Sequence, residues 1–185
     1  MKLDRYTQKA QEAILAAQQL ASGAGSPVLD AEHILAALLD DPEGIPAMTL
    51  RQLGADPAQV TVELAAVLSR RAKVEGGQLS LDPRVRALIE NAEDEAKRLG
   101  DEYVSTEHLL LGLSRSGGDA QRLLEGAGAT HETLLGALEG VRGSQRVTSQ
   151  NPEATYQCGA DAQPTLSVKP GTEHYIPRGD RKSVV

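Results

Sequence analysis

One decapeptide of this chain occurs twice in altered form. Residues 29–38 read Leu-Asp-Ala-Glu-His-Ile-Leu-Ala-Ala-Leu, and residues 104–113 read Val-Ser-Thr-Glu-His-Leu-Leu-Leu-Gly-Leu. Glu32 and Glu107 are 75 residues apart, and the same offset lays Ile14 on Ile89, Ala17 on Ala92 and Ala21 on Ala96. With one residue removed, Gly54-Ala55-Asp56 falls on Gly128-Ala129-Thr130. A repeated unit of this size implies one supersecondary block stacked on its copy, each covering the other's apolar face. Two copies are too few for an extended solenoid. The duplication therefore predicts a compact pair of pseudo-twofold-related halves, an architecture that binds more often than it catalyses.

Within each copy the apolar residues recur at helical steps. Ala10, Ala13, Ile14, Ala17, Leu20 and Ala21 form one face, ended by Ser22-Gly23-Ala24-Gly25-Ser26-Pro27. Asp30 is a good N-cap for the next helix, with Glu32 in its first turn facing the positive end of the dipole, and Ser105 and Glu107 repeat that arrangement. A short helix follows the turn Asp41-Pro42-Glu43-Gly44 and reaches about Leu53. Asp56-Pro57 opens a fourth helix carrying Val60, Leu64, Val67 and Leu68. After a loop containing Gly76-Gly77, Asp82-Pro83 opens a long helix with Val85, Leu88, Ile89, Ala92, Ala96 and Leu99 on one side. A short helix to Leu124 and a last one capped by Thr130 complete the second copy. The expectation is an all-α fold of two four-helix repeats, about 4–72 and 80–142, in one domain over 1–142. No segment alternates with period two long enough to predict a sheet. From Gly143 apolar residues thin out, so 143–185 reads as linker and disordered tail.

Composition narrows the function classes. Phe and Trp are absent, so the core is Leu, Ala, Val and Ile, and few rings remain to stack on bases. A net charge of −7 without a basic stripe argues against nucleic acid. No apolar run approaches the roughly 20 residues that span a bilayer, and no signal-peptide core is present. The expectation is a cytoplasmic protein without a membrane partner. Cys158, the one cysteine, excludes an internal disulfide and a cysteine metal cluster.

Chemistry-bearing motifs are missing as well: no phosphate loop, no His-Glu-x-x-His, no Gly-x-Ser-x-Gly elbow and no paired metal ligands. No catalytic residue, metal or cofactor is expected. His33 and His108 recur, but no nucleophile recurs with them, and each reads as a half-buried imidazole near a helix start. Arg178-Gly179-Asp180 reads as chance composition. The seam between two stacked repeats is where a groove would form, and one lined by Leu, Ile and Ala and rimmed by Asp101 and Glu107 would suit apolar peptide segments.

The opening Met1-Lys2-Leu3-Asp4-Arg5-Tyr6-Thr7, the twin Glu-His-Ile/Leu-Leu segments, Lys73-Val74-Glu75-Gly76, Leu99-Gly100-Asp101-Glu102-Tyr103-Val104-Ser105 and Gly126-Ala127-Gly128-Ala129-Thr130 together resemble the Clp N-terminal repeat domain, over about residues 1–156. The likeness is greatest to the ClpB-type disaggregase, with a further similarity to the ClpC-type unfoldase. It implies an eight-helix module that collects aggregated or unfolded polypeptide for a hexameric ATP-driven ring, in the stress response, and that also meets Clp adaptor proteins. It further implies that Thr7, Asp101 and Glu107 support substrate handling, that Ser80 matches a serine before the second repeat, and that Ile89 and His108 lie near the groove. The chain departs from that pattern after Tyr156, and the nucleotide-binding ring is absent from it. Three readings are carried forward: the substrate-binding domain of a Clp chaperone, a free-standing adaptor or regulator, and a hydrolase built on His33 or His108.

Overall fold

The computed structural model describes residues 3–74, 79–143 and 146–152. Cys158, Arg178-Gly179-Asp180 and the rest of the expected tail lie outside the described residues. Among those described, eight α-helices follow in order: α1 (Gln8–Gly23), α2 (Ala31–Leu39), α3 (Ile45–Gln52), α4 (Pro57–Ser69), α5 (Pro83–Leu99), α6 (Thr106–Leu113), α7 (Gly118–Gly126) and α8 (His131–Arg142). Each copy supplies four of them, and the expected caps are in place. Asp56, Asp82 and Thr130 accept backbone N–H groups at the starts of α4, α5 and α8. Asp30 and Ser105 close capping boxes at α2 and α6.

The core is built around α2 and α6. Every residue of α6 is buried, and α2 leaves only Ala36 partly exposed. A helix apolar on all sides must be surrounded, and these two pack against each other and against helices of both repeats. The amphipathic α1 and α5 lie outside them, burying Ala10, Ile14, Ala17 and Ala21 in one case and Val85, Leu88, Ala92 and Ala96 in the other. The close crossing of α5 over α6 depends on Gly112, where a Cβ would stand 2.5 Å from the Leu88 carbonyl and 3.3 Å from the Ala92 methyl.

Two features depart from expectation. First, the chain contains a small parallel sheet, β1 (Val28–Leu29) with β2 (Ser80–Leu81), and an isolated parallel bridge between Tyr6 and Val104. Two-residue strands are too short to show a period, which is why alternation does not betray them. The pairings are reciprocal: the 75-residue shift takes Tyr6 to Leu81 and Leu29 to Val104. Each repeat thus lays the entry to its first helix beside the entry to its partner's second helix.

Second, residues 146–152, expected as linker, are seated on the body of the fold. The Val147 N–H donates to Asp101 Oδ1 at 2.7 Å, and its carbonyl accepts from the Glu102 N–H at 3.0 Å. The Gln150 carbonyl accepts from the Gln8 N–H at 2.7 Å, one of the otherwise orphan donors at the start of α1, and Gln150 Nε2 donates to the Asp4 carbonyl. Val147 and Pro152 are buried. We call this segment the strap.

Candidate functional site

The two Glu-His pairs are interior, at equivalent places. In each, the imidazole stands at the third position of its helix and turns back to the cap. The Asp30 N–H donates to His33 Nδ1 at 3.1 Å, and the Ser105 N–H to His108 Nδ1 at 2.9 Å. A histidine here does the work of the glutamate in an ordinary capping box. Because Nδ1 accepts, the ring proton of His108 sits on Nε2, which reaches Asp101 Oδ2 at 3.0 Å. Burial pushes the His33 imidazole below its ordinary range. Ser105 Oγ also lies 2.8 Å from His108 Nδ1, but serine, imidazole and the Asp101 carboxylate are all sealed in the interior with no face open to a substrate. His33 and His108, buried more fully than expected, serve the caps of their helices.

Asp101 is the centre of a wider cluster. It accepts from His108, twice from Arg142 Nη2 at 2.8 and 2.9 Å, and from the Val147 N–H. Burial alone would raise its pKa, but His108, Arg142 and Val147 together hold the carboxyl well below the usual range. Glu107 lies alongside, its side chain wholly buried, with Arg142 Nη1 3.6 Å from Oε1. The counterpart Glu32 is also fully buried. It accepts from the Asp119 and Ala120 N–H groups at the start of α7 and pairs with Arg71 Nη2 at 3.1 Å. Each repeat therefore returns an arginine to the glutamate of its second helix, Arg71 from just past α4 to Glu32 and Arg142 from the last residue of α8 to Glu107.

This geometry corrects the expected rim. Asp101 and Glu107 have side chains at 0% exposure, so neither carboxylate is presented at the surface as a rim would require. Thr7 is buried too. It caps α1 by accepting from the Ala10 N–H, and its own N–H donates to the Val104 carbonyl at 2.9 Å. Thr7, Asp101, Glu107 and His108 are thus gathered around the Tyr6–Val104 bridge and the strap.

The other two expected residues lie elsewhere. Ser80 is exposed on β2, donating from Oγ to the Pro27 carbonyl at 3.1 Å. Ile89 lines an open apolar groove of about 400 Å³ together with Leu81, Asp82, Pro83, Val85 and Arg86. Leu81 stands 58% exposed at its mouth. Asp82 pairs with Arg84 Nε at 3.0 Å, which lowers its pKa, so the charged edge of the groove consists of an occupied carboxylate and the exposed Arg86. Sequence reasoning missed Leu81 and Arg86. The signal that could have found them is the repeat itself, since the 75-residue shift places them on the buried Tyr6 and on Gln11. No group of three or more His, Cys, Asp or Glu among the described residues is arranged to hold a metal, and no helix among them is long and apolar enough to cross a membrane.

The model of the family described as the Clp repeat (R) N-terminal domain matches residues 5–127. The chain is 41% identical over 154 residues to the chaperone protein ClpB of Corynebacterium diphtheriae, covering 82% of this chain and 18% of that protein. It is 44% identical over 153 residues to ClpB of Mycobacterium tuberculosis, with the same coverage. It thus spans about a fifth of the length of these curated relatives. The Hsp104 N-terminal domain from Candida albicans has the same fold, with a TM-score of 0.71 at 19% identity, over 80% of this chain and 98% of that one.

Proposed function

From the premise that the chain belongs to the Clp repeat (R) N-terminal domain family, we propose that it collects unfolded or aggregated polypeptide by its apolar segments for a ClpB-like disaggregating chaperone, without catalysis of its own. The observation that carries this reading is the groove at the start of α5, an apolar concavity walled by Leu81, Pro83, Val85 and Ile89 on an otherwise acidic chain. Apolar surface left in water at such a place is stabilised by covering it, at about 25 cal/mol per Å². Full burial of one aliphatic side chain is worth about 1.5–3 kcal/mol, enough to decide between binding and release of an unfolded segment.

The expected site residues divide into two roles. Ile89 lines the groove and meets substrate, and Ser80 stands next to Leu81 on β2 at its edge of the sheet. Thr7, Asp101, Glu107 and His108 act from the interior, holding the Tyr6–Val104 bridge and the strap so that the two repeats keep their relative placement. The ATP-driven ring and the Clp adaptors are partners of the larger assembly that this reading places around the domain.

The test is Ile89→Asp. Ile89 is only partly buried, so the variant should keep its helical circular dichroism. Its binding to a permanently unfolded polypeptide, reduced and carboxymethylated α-lactalbumin, should weaken about tenfold or more, as loss of one buried aliphatic contact requires. Unchanged affinity in the folded variant overturns the groove as the binding site.

A further inference from the structure

We propose that the groove captures its polypeptide in extended form, as a third strand added to β2, with main-chain hydrogen bonds to Leu81. This rests on the groove reading above and names the conformation of the substrate that it takes.

The sheet shows why. The Ser80 N–H donates to the Pro27 carbonyl at 2.9 Å and the Asp82 N–H to the Leu29 carbonyl at 3.1 Å. Alternation along a strand then turns the N–H and C=O of Leu81 to the opposite edge, away from β1. Among the described residues nothing bonds to either group, and the Leu81 side chain beside them is more than half exposed. The outer edge of β1 is closed differently. Ser26 Oγ donates to the Val28 carbonyl at 2.7 Å and accepts the Val28 N–H, so that edge offers nothing to a further strand.

The counterpart edge in the first repeat shows what closure looks like. Tyr6 takes the place of Leu81, and its carbonyl accepts from Gln11 Nε2 at 3.0 Å. Gln8, the residue two beyond Tyr6, gives its N–H to the strap at Gln150. Both devices are lost in the second repeat, where Gln11 becomes Arg86, which lines the groove, and Gln8 becomes Pro83, which has no N–H. One edge of the pseudo-symmetric pair is thus sealed by its own side chain and flanked by its own strap. The other stays open beside an apolar wall. A helix presents no main-chain donors or acceptors along its side, so an open strand edge selects an extended segment. Its apolar side chains lie on Val85 and Ile89 while its backbone pairs with Leu81, so the capture tolerates many sequences.

The experiment uses the full chain and the heptapeptide Ser-Leu-Ser-Val-Ser-Leu-Ser, alongside the same peptide methylated on every backbone nitrogen. Binding is read by fluorescence anisotropy, and the Leu81 amide by hydrogen exchange in NMR spectra. The unmethylated peptide should slow exchange at Leu81, and the methylated one should bind about tenfold more weakly, the effect of losing the hydrogen bond to the Leu81 carbonyl together with the crowding of the methyl groups at the strand edge. Leu81→Pro, tolerated at an edge whose N–H faces outward, should show a loss of the same size, and Leu81→Ala should keep the preference for the unmethylated peptide. If Leu81→Pro does not fold, the peptide pair and the amide decide alone. Equal affinities with unaltered Leu81 exchange overturn strand addition while leaving the groove reading standing. No peptide binding, together with an Ile89→Asp variant that still holds unfolded α-lactalbumin, overturns both. A Leu81 amide already protected before peptide is added assigns the edge to a segment of this chain, and protection that grows with protein concentration assigns it to a second copy. Either result overturns the proposal.

Discussion

His33 carries a consequence for stability that its neighbours fix. Its imidazole holds the Asp30 N–H through Nδ1, and burial lowers its pKa in the folded state. The unfolded chain then binds more protons than the folded one in the window below the ordinary histidine value of about 6.5. Stability is complete above that value and falls as the pH drops toward the lowered one. Glutamine at the same position can offer an acceptor to the cap without titrating. His33→Gln should therefore hold most of the stability at pH 8 and show a flatter decline in urea midpoint between pH 7 and pH 5. An unaltered slope would mean that another group governs that window. At this scale the sequence was readable where one residue acts on its immediate neighbours. Asp30, Asp56, Asp82, Ser105 and Thr130 all cap as their positions imply. The arginines were not readable. Arg142 reaches Asp101 across 41 residues, a pairing with no local signature.

Among the elements, the crossing of α5 on α6 is the tightest constraint, because a single hydrogen at Gly112 separates α6 from the backbone of α5. Gly112→Ala places a methyl against the Leu88 carbonyl, and rigid backbone cannot yield as a side-chain tip would. We expect a cost of about 1–3 kcal/mol, the ordinary penalty for overpacking a filled interior. A chain of this size should lose about 2–4 °C of melting temperature per kcal/mol, and calorimetry would register it. A melting temperature equal to that of the parent would show that α6 can slide. The helices with one apolar face, α1 and α5, were legible from spacing alone. The duplication, rather than periodicity, revealed α2 and α6, since helices buried on every side carry no face to detect. The strands and the strap escaped for the opposite reason, being two residues long in one case and carrying only Val147 and Pro152 as buried anchors in the other.

For the molecule as a whole, Asp101 joins three parts: His108 at the heart of the second repeat, Arg142 at the end of α8, and the strap through Val147. Its lowered pKa means that its contribution is fully present above about pH 4, the unfolded carboxyl value, and is lost as the pH falls toward the folded one. Asp101→Asn keeps the shape and removes the charge opposite Arg142. Breaking a buried pair from one side costs about 3 kcal/mol. In hydrogen exchange, the amides of Val147, Glu102 and Gln8 should lose protection first, while those of α2 and α6 keep theirs. If the strap amides of the variant exchange as slowly as in the parent, the strap is held by packing and not by this carboxylate. The groove lies on the other pairing of the reciprocal pair, which explains why Asp101 and Glu107, legible as special by their place in the duplicated segment, turn out to be interior supports and not a rim.

Gln150 resting on the Asp4 carbonyl sets where the polypeptide comes and goes. Incoming and outgoing backbone are neighbours, as on a clasp. A short ligature between them would close the folded chain into a circle without disturbing a helix. From the end of α8 the described backbone thus returns to the flank of the first repeat, where Gln150 lies beside residue 4.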